Sequence, residues 1–468
     1  MRQSIASIIL DAGRDSPDSA AVIDHTGTLT REDLAHRALR LAHCLRSSGV
    51  RPDDTVTVSF PHRRDRETVI ACCAVWIAGG RPLPLDPDLP GEQRRALLDL
   101  VAPAAALGPD PGDPSGPGAS PVPLPDAAAS SWKAVATSGS TGRPKVVAAS
   151  APALMDPDEP VASFLPTGGV QLVSAPLFRS APFTYAFRGL FTGHTLVIHD
   201  GVSPEEWLDS MARHRITWTM TSPAFLHRLT GLPRDVRDAA DLSRLDTLVH
   251  IGAPCPPALK REVIGWLGPG RVVEVYAGSE SNGLSVIDGH DWLGHPGSVG
   301  TGSGGTRFAV RSPDGRDLHT GETGVVWMHR GEQASYRYIG ASTRRDPDGW
   351  DTLGDLGYLD ADGYLYLVDR EADMVVRDGA SVYPAQVEAR ALQHPGVQDA
   401  VAFGFPELHG PRLGVVVQTG SDPPEIAGAD RTWAVDRPLR DAAGKTSRRR
   451  WAATLITPTT PLNPQETS

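Results

Sequence analysis

Between residues 195 and 276 apolar, β-branched runs alternate with amphipathic stretches, and this regularity restricts the fold more than any other feature of the chain. The runs TLVI, ITWTM, TLVHI and RVVEVY predict strands, and SPEEWLDSMARHR, PAFLHRL and PPALKREVIGWL predict the helices between them. The first of these helices carries its own start signal: Ser203 as cap, Pro204 at the first helical position and Glu206 at the capping-box site. Strands alternating with helices imply parallel βαβ units. Such sheets gather ligands beyond the carboxyl ends of their strands. Two stretches fall there: Gly252-Ala253-Pro254 after TLVHI, and Tyr276-Ala277-Gly278-Ser279-Glu280 after VVEV.

The flanking sequence extends the α/β pattern. Thr30 caps a predicted helix with Leu34, Ala38, Leu41 and Leu45 on one face, followed by the alternating strand Val56, Val58, Phe60. From Pro109 to Pro125 seven prolines in seventeen residues mark a surface connector. Beyond residue 300, short strands separated by Asp-Gly turns predict a β-rich subdomain, and a last α/β unit follows Arg370. A chain of 468 residues has room for about two to four domains or subdomains. The 45 basic and 56 acidic residues leave a net charge of −11, which disfavours nucleic acid as a partner. Cys44, Cys72, Cys73 and Cys255 lack metal-ligand spacing and suit a reducing compartment. No run approaches the roughly 20 apolar residues of a membrane span, and the N-terminal apolar run is too short for a signal peptide, so a cytoplasmic protein is expected.

The stretch ATSGSTGRPK, Ala136 to Lys145, has the chemistry of a phosphate loop. Its glycines let backbone N–H groups turn toward an anion, hydroxyls add donors and Lys145 adds charge. It is not the common NTPase loop, because Arg143 and Pro144 stand where that pattern has Lys and Ser or Thr opening a helix. A second glycine-rich run, Gly300 to Gly305, matches G-x-G-x-x-G, but it leads into the strand-like RFAV instead of a helix, so no dinucleotide site is expected there.

Taken in order, TSGSTGRPK, GAPCP, YAGSES, LGDLGYLDADGYLYLVDREADM, VYPAQVE and AAGKTSRRR make the chain resemble the adenylate-forming superfamily of acyl-CoA synthetases, carrier-protein adenylation domains and luciferases. The segment from Pro176 through Ser298 looks most like the fatty-acyl and aryl acyl-CoA synthetase branch. The resemblance implies an α/β fold: a large N-terminal domain over residues 1–370, of α/β subdomains plus a β-rich one, and a small, mobile, shortened α/β lid over 371–468. It implies that ATP and Mg²⁺ activate a small carboxylic acid to an acyl-adenylate, which then passes to CoA. Thr137, Ser138, Gly139, Ser140, Thr141, Gly142 and Lys145 would hold the phosphates that leave. Gly252 and Ala253 would border the adenine, Tyr276 would stack on it, and Ala277 and Gly278 would complete that wall. Ser279 would meet the α-phosphate, Glu280 would hold Mg²⁺, Asp355 would accept from the ribose hydroxyls and Arg370 would help fix ribose and phosphates. Lys445, on the lid, would stabilise the charge between carboxylate and α-phosphate.

Several positions depart from the family. Val146 replaces the usual glycine after the loop lysine, and Arg179 stands where a histidine or aromatic is usual, at the wall of the acyl channel. An arginine there suits a polar or second acidic group on the substrate equally with an inert surface role. In the lid, Ala372 replaces the usual hinge Asp or Lys, Asp378-Gly379 replaces a Gly-Gly pair, and few residues separate Gln418 from Asp436. These departures raise a second reading, transfer to a separate carrier-protein thiol or an amine, and a third, a nucleotide- or acyl-binding relative without turnover. Candidates for the acid pocket are Arg179, Phe183, Tyr185, Ala186, His250, Ile251, Asn282 and Gly283, which suggest an apolar or aromatic acid with a polar handle.

Overall fold

The computed structural model describes residues 1–61, 63–108, 124–138, 144–199, 201, 203–377, 380–407, 410–440 and 446–456. They form two compact units: a larger one of Met1–Ala309, Trp327–Leu353 and Leu359–Tyr366, and a smaller one of Val310–Val326, Gly354–Tyr358 and Leu367–Ser468.

The larger unit is built on a nine-stranded sheet, and the alternating sequence lies at its centre. Gly169–Val173, His194–Ile198, Trp218–Thr221, Thr247–Ile251 and Val272–Ala277 all pair in parallel, with helices Ser180–Phe191, Pro204–Arg213, Pro223–Thr230 and Pro257–Leu267 between them. Leu284–Asp288 then turns back antiparallel to Val272–Ala277, which places the segment between those two strands at one end of the sheet. The capping box is formed: Ser203 Oγ accepts from the Glu206 N–H at 3.1 Å, and the Ser203 N–H donates to Glu206 Oε2 at 2.8 Å. The Gly300 to Gly305 run enters the short strand Thr301–Gly302 and then the strand Arg307–Arg311, with no helix after it.

Strand alternation sends the two faces of this sheet into different cores. Leu248 packs with Trp207, Ile264 and Trp292 on one side, while Val249 packs with Phe164, Tyr185, Trp218 and Met220 on the other. A further core surrounds the helix Asp65–Ile77, where Cys72 and Cys73 are fully buried and burial pushes both thiols above their ordinary pKa. In it Trp76 lies 6.4 Å from Trp132, stacked, and 4.9 Å from Phe187, edge to face. Trp76 also donates its indole N–H to the Trp132 carbonyl at 2.7 Å, which fixes the entry to the strand Ala134–Ser138.

The smaller unit contains a three-stranded sheet of Asp399–Glu407, Gly410–Gln418 and Arg431–Val435. The last two strands run parallel, and the chain between them crosses back without a helix. The short spacing noted after Gln418 is thus taken up by an irregular crossover near the lower length limit for joining parallel strands. Helix Arg448–Leu455 is tied to the sheet by Arg448, which donates to Glu388 at 2.9 Å, to Asp373 at 2.6 Å and to the Ala402 carbonyl at 2.9 Å. Among the described residues no helix is long and apolar enough to cross a membrane.

Candidate functional site

In the larger unit the phosphate-loop strands form a hairpin, Ala134–Ser138 against Pro144–Ala149, with Thr137 opposite Lys145. The loop tip, with Gly139, Ser140, Thr141 and Gly142, lies outside the described residues. The strand Tyr336–Ile339 pairs on the far edge, placing Val146 in the middle of a three-stranded sheet between Ala136 and Ile339. Val146 is fully buried there, so a β-branched residue suits a site where the family carries glycine.

The hairpin meets the end of the parallel sheet at Glu280. Lys145 Nζ lies 3.3 Å from Glu280 Oε1, and Tyr338 donates its hydroxyl to the same oxygen at 2.6 Å. Lys145 also donates to the Tyr338 hydroxyl at 3.0 Å and stands 4.1 Å from the centre of its ring. Burial, and next the Glu280 carboxylate, push the Tyr338 hydroxyl far above its ordinary pKa, so it stays protonated and donates. The sequence motifs single out Lys145 and Glu280 but not Tyr338. Its only sequence signal is the alternating strand YRYI, 58 residues from Glu280.

The turn that carries Glu280 is tightly specified. The Ser281 N–H donates to the Gly278 carbonyl at 3.1 Å, Ser281 adopts a left-handed φ of +53°, and Ser335 Oγ donates to the Glu280 carbonyl at 3.0 Å. A non-glycine residue held left-handed stores strain of the sort that collects at functional turns. Gly283 is required sterically, because a Cβ there would sit 2.5 Å from Met328 Sδ. Asn282, 4% exposed, has neither amide atom hydrogen-bonded among the described residues. Tyr276, Ala277, Gly278 and Ser279 are half-buried along the same edge. Gly252, with φ of +94°, and Ala253 follow the neighbouring strand end.

The remaining acid-pocket candidates divide among different environments. Tyr185 packs edge to face on Phe164 at 5.6 Å in the same core as Ile251, and burial raises its hydroxyl to about 12. Phe183 points into the Trp76 core, 4.5 Å from Phe187, with Ala186 in the same cluster. Arg179 occupies the N-cap position of the helix Ser180–Phe191 without a side-chain capping bond and lies over the Phe178 ring at 5.2 Å. His250, fully buried, is on the face of its strand opposite Val249; its Nε2 is 3.8 Å from Glu274, which pairs with Lys260 at 2.5 Å. Burial holds His250 well below its ordinary pKa and therefore neutral.

In the smaller unit Asp355, 6% exposed, accepts from Arg370 Nε at 3.1 Å, which leaves a buried carboxylate oriented by a largely exposed guanidinium. Ala372 is exposed, while Lys445 and the pair Asp378-Gly379 lie outside the described residues. On one side of Lys445, Arg440 pairs with Asp399 at 3.0 Å; on the other, Thr446 Oγ1 donates to the Leu439 carbonyl at 2.8 Å.

These groups fit a metal-bound nucleotide. Glu280 Oε1 accepts from both Lys145 and Tyr338, leaving Oε2 for a hard cation, and the buried Thr137 hydroxyl lacks a partner among the described residues. Lys145 supplies the charge for an adjacent phosphate.

Residues 10–113 and 134–338 match the AMP-binding enzyme family. A feruloyl-CoA synthase from an Amycolatopsis species is 32% identical over 467 aligned positions, covering 91% of this chain and 90% of that protein. A 2-succinylbenzoate–CoA ligase from Bacillus licheniformis is 29% identical, covering 83% and 84%. In fold, the chain is similar to the O-succinylbenzoate coenzyme A synthetase of Bacillus subtilis solved with AMP, with a TM-score of 0.80 at 22% identity over 96% of this chain and 98% of that one. The chain belongs to the AMP-binding enzyme family and is an adenylate-forming ligase.

Proposed function

We propose that this protein is an acid–CoA ligase of the cytoplasm, which uses ATP and Mg²⁺ to convert a small carboxylic acid to its acyl-adenylate and passes the acyl group to CoA. The observation that carries the reading is the Lys145, Glu280 and Tyr338 cluster beyond the carboxyl end of the central parallel strands. Its chemistry answers the main obstacle to the first step, which is bringing an anionic carboxylate to an anionic α-phosphate.

Each residue has a separate task. Lys145, with Thr137 and the loop residues Ser138 to Gly142, holds the β- and γ-phosphates as pyrophosphate departs. Glu280 would hold the metal, and Tyr338 and Lys145 fix its carboxylate in one orientation. Mg²⁺, when bound, neutralises phosphate charge as it develops. Ser279 contacts the α-phosphate; Gly252, Ala253, Tyr276, Ala277 and Gly278 enclose the adenine. Asp355 receives the ribose hydroxyls, and Arg370 orients that carboxylate. Residues 1–370 serve as the ATP- and acid-binding domain and residues 371–468 as the lid that brings Lys445 to the reacting groups.

The test is exchange of labelled pyrophosphate into ATP by the purified protein. Exchange that requires both an added acid and Mg²⁺ supports the reading. Exchange independent of acid, or none with any acid of an aliphatic, aryl and dicarboxylic panel, refutes it.

A further inference from the structure

Two cations, buried Lys133 and half-buried Arg188, stand near one aromatic ring, and among the described residues neither is paired with an acid. Lys133, 4% exposed, donates to Thr184 Oγ1 at 2.6 Å and lies 3.5 Å from Ser180 Oγ; both acceptors are neutral hydroxyls on the helix Ser180–Phe191. Arg188 follows Thr184 by one helical turn and therefore shares its face. The Arg188 guanidinium stands 5.2 Å from the Trp132 ring, and Lys133 Nζ stands 5.2 Å from the same ring. Among the described residues the Arg188 guanidinium has no hydrogen bond or ion pair, although its carbonyl accepts from Thr192 at 3.0 Å.

Charge makes the arrangement costly. Burial, and next the Arg188 charge, bring the Lys133 ammonium down to about 7. The field of the Glu280 carboxylate, the proposed metal ligand, favours the Lys133 ammonium. Burial lowers the Arg188 guanidinium most; the Tyr185 hydroxyl opposes this, and Arg330 and Arg2 add to it. Arg330 in turn donates to the Ser281 carbonyl at 3.4 Å, beside the unpartnered amide of Asn282.

Buried Arg81 is a parallel case, donating to the Thr55 hydroxyl at 2.5 Å, whereas three other cations meet acids. Arg66 pairs with Asp24 at 2.5 Å, Lys260 with Glu274 at 2.5 Å, and Arg448 with Glu388 at 2.9 Å. Removing cations from water without an anion is unfavourable, and two together are worse. A bound anion relieves both penalties.

We propose that Lys133 and Arg188 receive a second carboxylate of the acid substrate, so that the enzyme activates a dicarboxylic acid, one carboxylate reacting and the other held between these two cations. The proposal rests on the acid-ligase reading above and narrows its substrate class. The fork of Arg188 suits a carboxylate in bidentate fashion, and Lys133 adds a point charge.

The experiment measures acid-dependent pyrophosphate exchange, without CoA, for malonate, glutarate and terephthalate, each against its monomethyl ester. Omitting CoA removes its phosphates as a competing source of the anion. For the best pair, kcat/KM for the diacid should exceed that for the ester by about 10- to 100-fold, mainly through KM. Arg188→Met and Lys133→Met should each collapse that ratio by about tenfold, and Arg188→Lys should restore part of it. The wild-type comparison stands even where a variant fails to fold. Esters exchanging as well as their diacids in every pair would overturn the proposal and leave the ligase reading intact, as would a ratio that both variants preserve. Absence of exchange with any acid would overturn both.

Discussion

Replacing Lys133 with methionine should stabilise the protein at neutral and mildly acidic pH, and the gain should shrink as the solution becomes alkaline. In the folded chain burial lowers this ammonium from 10.5 to about 7. The cost of holding it charged is complete below about 7 and is relieved as pH rises toward the unfolded value of 10.5, because the folded chain releases the proton first. Stability of the wild type therefore rises over that window. Between about pH 6 and about pH 9 the folded site is neutral over some two pH units in which the unfolded lysine remains charged. At about 1.4 kcal/mol per unit, that is roughly 3 kcal/mol. Methionine fills similar volume and carries no charge, and the bond lost to Thr184 is the same at both pH values. Urea unfolding followed by tryptophan fluorescence provides the assay, since Trp76 and Trp132 stack in the adjoining core. Subtracting wild type from variant cancels every other titrating group. A stability difference equal at about pH 6 and about pH 9 would show that Lys133 titrates as an exposed lysine, and the account of an anion-seeking pair would lose its physical basis.

Other outcomes follow from the same structure. Glu280→Gln should weaken the Mg²⁺ requirement and lower acid-dependent exchange by about 100-fold, read from a metal titration of the exchange rate. Unchanged metal dependence at full rate would remove Glu280 from its assigned role. Tyr338→Phe, which deletes the 2.6 Å bond to Glu280, should raise the apparent Mg²⁺ dissociation constant by about tenfold while leaving the fold intact by circular dichroism. Phe183→Ala should cost about 3 to 5 kcal/mol in urea unfolding, because the ring fills the space between Trp76, Trp132 and Phe187. Lys445→Ala should abolish adenylate formation with ATP binding by calorimetry largely retained; adenylate made at the parent rate would contradict the lid assignment.

The parallel core was legible because its elements carry local signals, from the β-branched runs to the Ser203 cap. Glu280 and Lys145 were legible through their motifs. Tyr338, Lys133 and Arg188 were not, because their importance arises from proximity between elements distant in sequence, and no local pattern records which way a lysine entering a strand points. The acid-pocket candidates illustrate the same limit. His250 and Ile251 are adjacent in sequence, yet strand alternation sends them to opposite faces of the sheet, one beside Glu274 and the other beside Tyr185. The missing lid helix was visible as a short interval after Gln418, but the parallel pairing of Gly410–Gln418 with Arg431–Val435 depends on contacts that no single segment specifies.

The central claim, activation of an acid for transfer to CoA, is tested most directly by mass spectrometry of the products formed from ATP, Mg²⁺, CoA and a panel of mono- and dicarboxylic acids. The account predicts an acyl-CoA thioester with AMP in equal amount, formed only when acid and ATP are both present. Accumulation of acyl-adenylate and AMP with no thioester at any CoA concentration would contradict CoA as the acceptor, and the absence of both products would contradict the ligase itself.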